Sequence, residues 1–231
     1  MSNLYVTDIA WLERMEVFEK AFLCVNKERQ QKIQMYQQQN DRARSLAAGL
    51  LLKYAMYREK KAELPLIMNT HGRPYARECD DFYFSLSHSG NYAICAVGSR
   101  NIGADIQEWK ELKQNLASRF FHQEEILYLE QIRQTSGEEE YCRTFFNLWS
   151  LKESYIKYTG VGFAQGMQKD NLIPLLQCGQ CILMDACKKP IQIFGQLYQA
   201  YQGYSIGVVS SEDNLTSAIC YLSGEELLGT V

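Results

Sequence analysis

Three short stretches of this chain carry residue types suited to chemistry on phosphates. Asp105 closes the run Ile102-Gly103-Ala104-Asp105, which reads as an apolar strand ending in small residues and an acid. Glu153 and Lys157 stand four residues apart in Trp149-Ser150-Leu151-Lys152-Glu153-Ser154-Tyr155-Ile156-Lys157, a spacing that puts both on one helical face. The third stretch, Ser87-His88-Ser89-Gly90, offers hydroxyls, an imidazole and turn N–H groups. A hard cation such as Mg²⁺ takes carboxylate oxygens and usually keeps waters and substrate phosphates as its other ligands. Taken together, the three stretches suit a site for a metal-bound pyrophosphate. Gln107 lies two residues beyond Asp105 and so on the same side of a continuing strand. Its amide oxygen is a weaker, neutral ligand.

Each piece alone has a plainer account. Asp105 could cap a turn, and Ser87–Gly90 could be an ordinary polar turn. Glu153 and Lys157 could be a surface ion pair worth about 0.2–0.5 kcal/mol. Against the last reading, Trp149 and Ile156 flank that face with large apolar groups. Charges there are partly buried, which is costly unless a ligand or metal compensates. A Ser/His nucleophile pair is disfavoured, because adjacent strand residues face apart and no G-x-S-x-G elbow occurs. Arg73 in Gly72-Arg73-Pro74, and Lys27, Arg29, Lys32, Arg42 and Arg44, are further phosphate-binding candidates. Most of that basic cluster reads as a solvated helical face.

The elements that must hold these groups are legible in outline. Lys27–Lys60 is rich in helix formers, with Leu46, Leu50, Tyr54 and Tyr57 on one face. Phe82–Leu86 and Tyr92–Val97 read as buried strands joined by Ser87–Asn91, and a third strand ends near Ile106. Thr144–Tyr158 suits a helix, and short strands alternate to about Leu222. Tyr92–Val97 resembles Tyr204–Val209, and each follows a glycine, Gly90 or Gly203. The reading is α+β: two similar lobes, 1–104 and 105–231, each a small mainly antiparallel sheet with a long helix, and a site in the cleft between them. No linker-like stretch separates them, and neither G-x-G-x-x-G nor a P-loop occurs.

Composition narrows the field. The chain has 231 residues, 46% of them hydrophobic and 22% charged, within the range of a soluble globular protein. Its formal net charge of −3 argues against general nucleic-acid binding. No apolar run is long enough for a membrane span and no signal peptide is indicated, so the expected compartment is the cytoplasm. The eight cysteines are expected to be reduced. Cys178-Gly179-Gln180-Cys181 has C-x-x-C spacing, but it lies between the apolar runs Leu172–Leu176 and Ile182–Met184 and reads as a hairpin turn. His71, His88 and His122 are all distant from it, so no zinc signature is complete.

The order Gly72-Arg73-Pro74, Phe84-Ser85-Leu86-Ser87-His88-Ser89, Gly103-Ala104-Asp105 and Trp149–Lys157 resembles the 4′-phosphopantetheinyl transferases, specifically the larger, monomeric Sfp type. The likeness runs from about Lys27 to Gly162, and the tail after Gly166 carries no matching motif. The resemblance implies two lobes of similar fold with coenzyme A between them. It assigns Asp105 and Glu153 to Mg²⁺ (or Mn²⁺ in its place), with Gln107 where many bacterial relatives have a second acid. It places Ser87 and His88 on coenzyme A phosphates, Arg73 at the adenosine end, and Lys157 by the pyrophosphate. Lys27, Lys32 and Arg44 resemble basic positions near the 3′-phosphate. Phe120–Glu125 resembles a Phe-Phe-x-x-x-Glu segment, with Glu125 at its acidic position.

The implied activity is Mg²⁺-dependent transfer of phosphopantetheine from coenzyme A to a carrier-domain serine, releasing 3′,5′-ADP. Glu153 is the leading proton acceptor. The alternative is a non-catalytic relative that binds carrier protein or coenzyme A and regulates. An acidic acyl or peptidyl carrier protein would be the partner. Trp109–Phe121, with Lys110, Lys113, Arg119, Leu112 and Leu116, is a candidate docking patch, though an ordinary amphipathic helix accounts for it equally well.

Overall fold

The computed structural model describes residues 2–59, 61, 64–69, 74–76, 79–112, 115–160, 167–184 and 187–230. The chain opens with strand β1 (Asn3–Asp8), then helices α1 (Met15–Leu23), α2 (Lys27–Met35) and α3 (Gln39–Arg58). A small hairpin, β2 (Leu66–Met68) and β3 (Pro74–Ala76), precedes the larger one formed by β4 (Tyr83–Ser89) and β5 (Tyr92–Gly98). Next come β6 (Ile102–Glu108), the short α4 (Leu116–Phe120) and the long α5 (Gln123–Thr159). Helix α6 (Ile173–Cys178) and strands β7 (Gln180–Met184), β8 (Pro190–Tyr198), β9 (Tyr204–Ser210) and β10 (Ile219–Tyr221) lead to α7 (Gly224–Gly229).

Two four-stranded sheets share one scheme. Their strand orders are β10-β1-β5-β4 and β6-β9-β8-β7. In each, an opening strand (β1 or β6) is followed by a long helix (α3 or α5) and a hairpin whose second strand returns antiparallel beside it. The matching stretches Tyr92–Val97 and Tyr204–Val209 occupy equivalent central strands, β5 and β9. The architecture is therefore the expected α+β pair of lobes.

Strand alternation sends side chains into three cores. Tyr5, Ala93, Cys95 and Val97 of the first sheet face α3, in a cluster with Leu46, Leu50 and Leu51. Leu4, Val6, Ile94 and Ala96 face the second sheet, meeting Ile102, Ala104, Ile106, Ile206 and Val208. Strands buried on both faces read as continuous apolar runs, which is why Tyr92–Val97 shows no polar alternation. The far face of the second sheet is covered by α5, where Phe121, Phe145, Leu148 and Leu151 pack with Val209 and Ile193. Full burial of one such aliphatic or aromatic side chain contributes about 1.5–3 kcal/mol.

Several expectations are corrected. Tyr57 is 60% exposed, so the buried side of α3 runs instead through Ala43, Leu46, Ala47, Leu50, Leu51 and Ala55. Ser87, His88 and Ser89 lie inside β4, paired with Ile94, Ala93 and Tyr92, and only Gly90-Asn91 turns the chain. The helix expected at Thr144–Tyr158 starts at Gln123, and it kinks at Gly137, whose φ of 88° breaks the helical run. Residues 173–178 form a helix that Gly179 ends, so the C-x-x-C is a helix–strand junction and no hairpin. Its cysteines are free. The division expected at 104/105 would cut β6, which pairs with β9 along its whole length. The last segment also crosses back: β10 pairs parallel to β1, and Leu222 and Leu227 enter the first core. That return covers an edge of β1 that would otherwise be open.

Candidate active site

Two glycines set the depth of α5. A Cβ at Gly103 in β6 would stand 1.9 Å from the Ser154 carbonyl oxygen, and one at Gly207 in β9 would stand 3.0 Å from that of Ser150. Only bare backbone lets the helix settle this close. The Ser154 hydroxyl then donates to the Gly207 carbonyl at 2.8 Å. Gly103, Asp105 and Gln107 share the side of β6 that faces the helix, which brings Asp105 to the turn of α5 carrying Glu153 and Lys157.

Lys157 Nζ donates to Asp105 Oδ1 at 2.6 Å and to the Ala104 carbonyl at 3.1 Å. Ser87 Oγ donates to the same Oδ1 at 2.6 Å, and Gln107 Nε2 to Oδ2 at 2.8 Å. Asp105 and Glu153 are 2% and 7% exposed, and no described side chain hydrogen-bonds the Glu153 carboxylate. The i, i+4 pair expected between Glu153 and Lys157 is replaced by an ion pair from Lys157 to Asp105. Burial, and next the charge of Asp105, push the Glu153 carboxyl up to about 8, with Lys157 opposing. A buried pair of carboxylates with one lysine is a site short of positive charge. This donor chemistry fits a divalent cation.

Ser87 and His88, as neighbours on a strand, face apart. His88 lies half-buried on the side of α3. Burial first, and then the charges of Lys157, Arg44 and Lys32, hold its imidazole down at about 4. Arg44 donates to the Gly90 carbonyl at 2.8 Å and pairs with Asp41 at 2.5 Å. The structure thus brings together Asp105, Glu153, Lys157, Ser87 and Gln107, with His88, Lys32 and Arg44 close enough to act on one another electrostatically. Lys27 is exposed at the start of α2 and joins none of these interactions. Arg29 of that helix turns inward: its stem lies against Gly49 of α3, and with Lys32 it lines a groove of about 390 Å³. Arg73 lies outside the described residues.

Glu125 and Lys152 form a second charged pair behind the site. They are 0% and 2% exposed, and Lys152 Nζ donates to both Glu125 oxygens at 2.9 and 2.7 Å. Glu125 also accepts from the backbone N–H of His122 and of Leu172, at 2.8 and 2.7 Å. Lys152 precedes Glu153 in the chain, so this pair fixes the helix turn that carries the open carboxylate. In the candidate docking stretch, Leu112 and Leu116 turn into the second core, leaving Lys110 and Arg119 exposed. Lys113 lies outside the described residues.

Comparison with known proteins identifies the family. Residues 101–209 match the 4′-phosphopantetheinyl transferase superfamily, and residues 9–100 match the N-terminal 4′-phosphopantetheinyl transferase family. The chain belongs to the 4′-phosphopantetheinyl transferases and is an enzyme of that type. It is 29% identical over 214 residues to the 4′-phosphopantetheinyl transferase Sfp of Bacillus subtilis, covering 91% of this chain and 92% of that one. It is 30% identical over 196 residues to the 4′-phosphopantetheinyl transferase gsp of Aneurinibacillus migulanus, covering 83% of this chain and 80% of that one. These relatives make it Sfp-type. Among solved structures, the holo-[acyl-carrier-protein] synthase of Thermotoga maritima overlays 47% of this chain and 61% of that one, at 14% identity and a TM-score of 0.29.

Proposed function

We propose that this protein moves the 4′-phosphopantetheine group of coenzyme A onto a serine hydroxyl of an apo acyl or peptidyl carrier protein, releasing 3′,5′-ADP. The observation that carries the reading is the Asp105–Glu153 pair at the lobe seam, with the Glu153 carboxyl raised to about 8 and no hydrogen-bond partner on it among the described residues. Asp105 and Glu153, and Gln107 through its amide oxygen, would hold Mg²⁺ or Mn²⁺. When bound, that cation neutralises charge on the pyrophosphate.

The chain's own residues account for the rest. Lys157, held at the seam by Asp105 and the Ala104 carbonyl, meets the charge that develops on the departing phosphate. Glu153, in its deprotonated form, takes the proton of the attacking serine hydroxyl. Ser87 orients Asp105 and would contact the pyrophosphate. Lys32, Arg44 and His88, with Arg29, receive the 3′-phosphate end, and Arg73 and Lys27 would extend that contact. The transfer itself is positioning and charge neutralisation, with no covalent enzyme intermediate.

Among the described residues no helix is long and apolar enough to cross a membrane. The proposed enzyme acts as a cytoplasmic monomer on carrier proteins. The test is to incubate the protein with coenzyme A and an apo carrier domain, with and without Mg²⁺, and weigh the carrier by mass spectrometry. A cation-dependent gain of one phosphopantetheine supports the reading. Coenzyme A binding without gain on any of several carriers would favour a regulatory relative instead.

A further inference from the structure

We propose that Ser85 and Ser89 are positioning residues for Asp105, acting through the open backbone edge of β6. Both β4 and β6 are outermost strands of their sheets, and the two edges meet at the lobe seam. An outermost strand leaves alternate N–H and C=O groups without a strand partner. At Ala104 and Glu108 they are met by side chains. Ser85 Oγ accepts from the Ala104 N–H at 2.9 Å and returns its own hydrogen towards the Ala104 carbonyl at 3.4 Å. Ser89 Oγ accepts from the Glu108 N–H at 3.0 Å. Between them, Ser87 Oγ donates to Asp105 itself at 2.6 Å. Period-two alternation places the three hydroxyls on one side of β4, so Ser-x-Ser-x-Ser forms a row along the neighbouring strand.

The consequence lies at Ala104-Asp105. From the first lobe these residues are held by Ser85 and Ser87, and from α5 by Lys157, which donates to the Ala104 carbonyl at 3.1 Å and to Asp105 Oδ1 at 2.6 Å. The carboxylate is thus fixed relative to Glu153 from both sides of the seam. Ser85 and Ser89 touch no reacting atom. Without them Asp105 keeps Ser87 and Lys157, but its strand loses the tether that sets its distance from α5. A misplacement near 1 Å in such a site costs up to about a hundredfold in rate.

This inference rests on the transfer reading for its kinetic arm, and on geometry alone for its other arms. The first measurement is backbone amide hydrogen exchange in the unliganded protein, comparing wild type with S85A and S89A. Exchange is expected to quicken about tenfold at Ala104 in S85A and at Glu108 in S89A, the loss of one hydrogen bond in each. The second is Mn²⁺ affinity, expected to weaken in the double variant. The third is transfer kinetics, with kcat falling about tenfold while the coenzyme A KM stays within about twofold, and with S89T restoring the rate. Two controls separate positioning from general stability. S45A removes a buried hydroxyl without a partner and should change nothing. L175A, in the second core, should lower Tm by at least as much as S85A and leave kcat alone.

Unchanged exchange at both amides would overturn the tether. Faster exchange with Mn²⁺ affinity and kcat no worse than in L175A would overturn the positioning role. A wild-type protein that transfers nothing would count against the transferase reading alone, and exchange and Mn²⁺ affinity would still decide this one.

Discussion

Lys157 reaches from α5 to Asp105 on β6 of the same lobe, 2.6 Å away, and leaves Glu153, one turn earlier on the helix, with no hydrogen-bond partner among the described residues. The two carboxylates therefore differ in kind. Asp105 is satisfied by Lys157, Ser87 and Gln107, whereas Glu153 is buried and open. A pair built for stability alone would share the lysine or lie in water.

The first prediction follows from that asymmetry. The Glu153 carboxyl stands near 8 in the folded protein against an ordinary value of 4.5. Between those values the folded state holds a proton that the unfolded state has lost, so stability falls as pH rises through this window and levels off above it. E153Q should flatten the slope. Mg²⁺ should stabilise wild type more at pH 8 than at pH 6 and release a proton on binding, and it should do neither in E153Q. Calorimetry in two buffers of different ionisation heat measures the release. Equal stabilisation of wild type and E153Q would remove Glu153 from the cation site.

D105A and K157Q test the other side of the pair. Each should cut kcat/KM by about a hundredfold or more, as expected when preorganised charge at a transferring phosphoryl group is lost. The far-ultraviolet circular dichroism spectrum should be unchanged. D105A leaves Lys157 without its partner and should also weaken cation binding, whereas K157Q should spare it. Wild-type turnover in either variant would reject the proposed roles.

His88 is held down at about 4, below its ordinary 6.5, by burial and then by Lys157, Arg44 and Lys32. Its contribution to stability is complete above pH 6.5 and is lost as pH falls towards 4, because the unfolded chain takes up the proton first. A bound phosphate brings negative charge and should reverse the shift. Adding 3′,5′-ADP should move the His88 ring titration upwards, read by NMR, with proton uptake between pH 5 and 6. An unmoved titration would place the phosphate elsewhere.

Much of the site was legible because its residues are unusual in local terms. An acid in an apolar strand and two charges flanked by Trp149 and Ile156 are costly unless used, and the structure buries both acids, although Asp105 stands in the middle of β6 and not at the strand end expected for it. The repeat of Tyr92–Val97 at Tyr204–Val209 likewise marked two equivalent strands. The misses came where tertiary contact overrides local pattern. Ser87 and His88 looked like a turn because polar residues favour turns, yet β6 supplies partners for the serines and keeps them in a strand. Gly-Gln in Cys178-Gly179-Gln180-Cys181 suggested a hairpin, but a glycine ends a helix equally well. Lys27 and Arg29 are two residues apart on α2, and only packing against Gly49 tells which one faces inward.

The last prediction concerns Glu125 and Lys152, whose charges are buried together behind Glu153. Burying one such charge alone is severe, so E125A and K152A should each cost about 3–5 kcal/mol of stability. Replacing both by apolar groups removes the unpaired charge, and E125L/K152M should therefore recover part of the loss. Recovery will be incomplete, because Glu125 also accepts from the His122 and Leu172 N–H groups, and Lys152 donates to the Asp170 carbonyl at 2.8 Å. Those contacts tie the start of α5 and the segment before α6 to the turn holding Glu153. The double variant should then fold yet transfer slowly, with its loss in kcat rather than in the coenzyme A KM. Chemical denaturation and steady-state kinetics on the three variants check this. A double variant as unstable as either single one would show that the pair is worth more than its charges, and normal kcat would show that it does not orient Glu153.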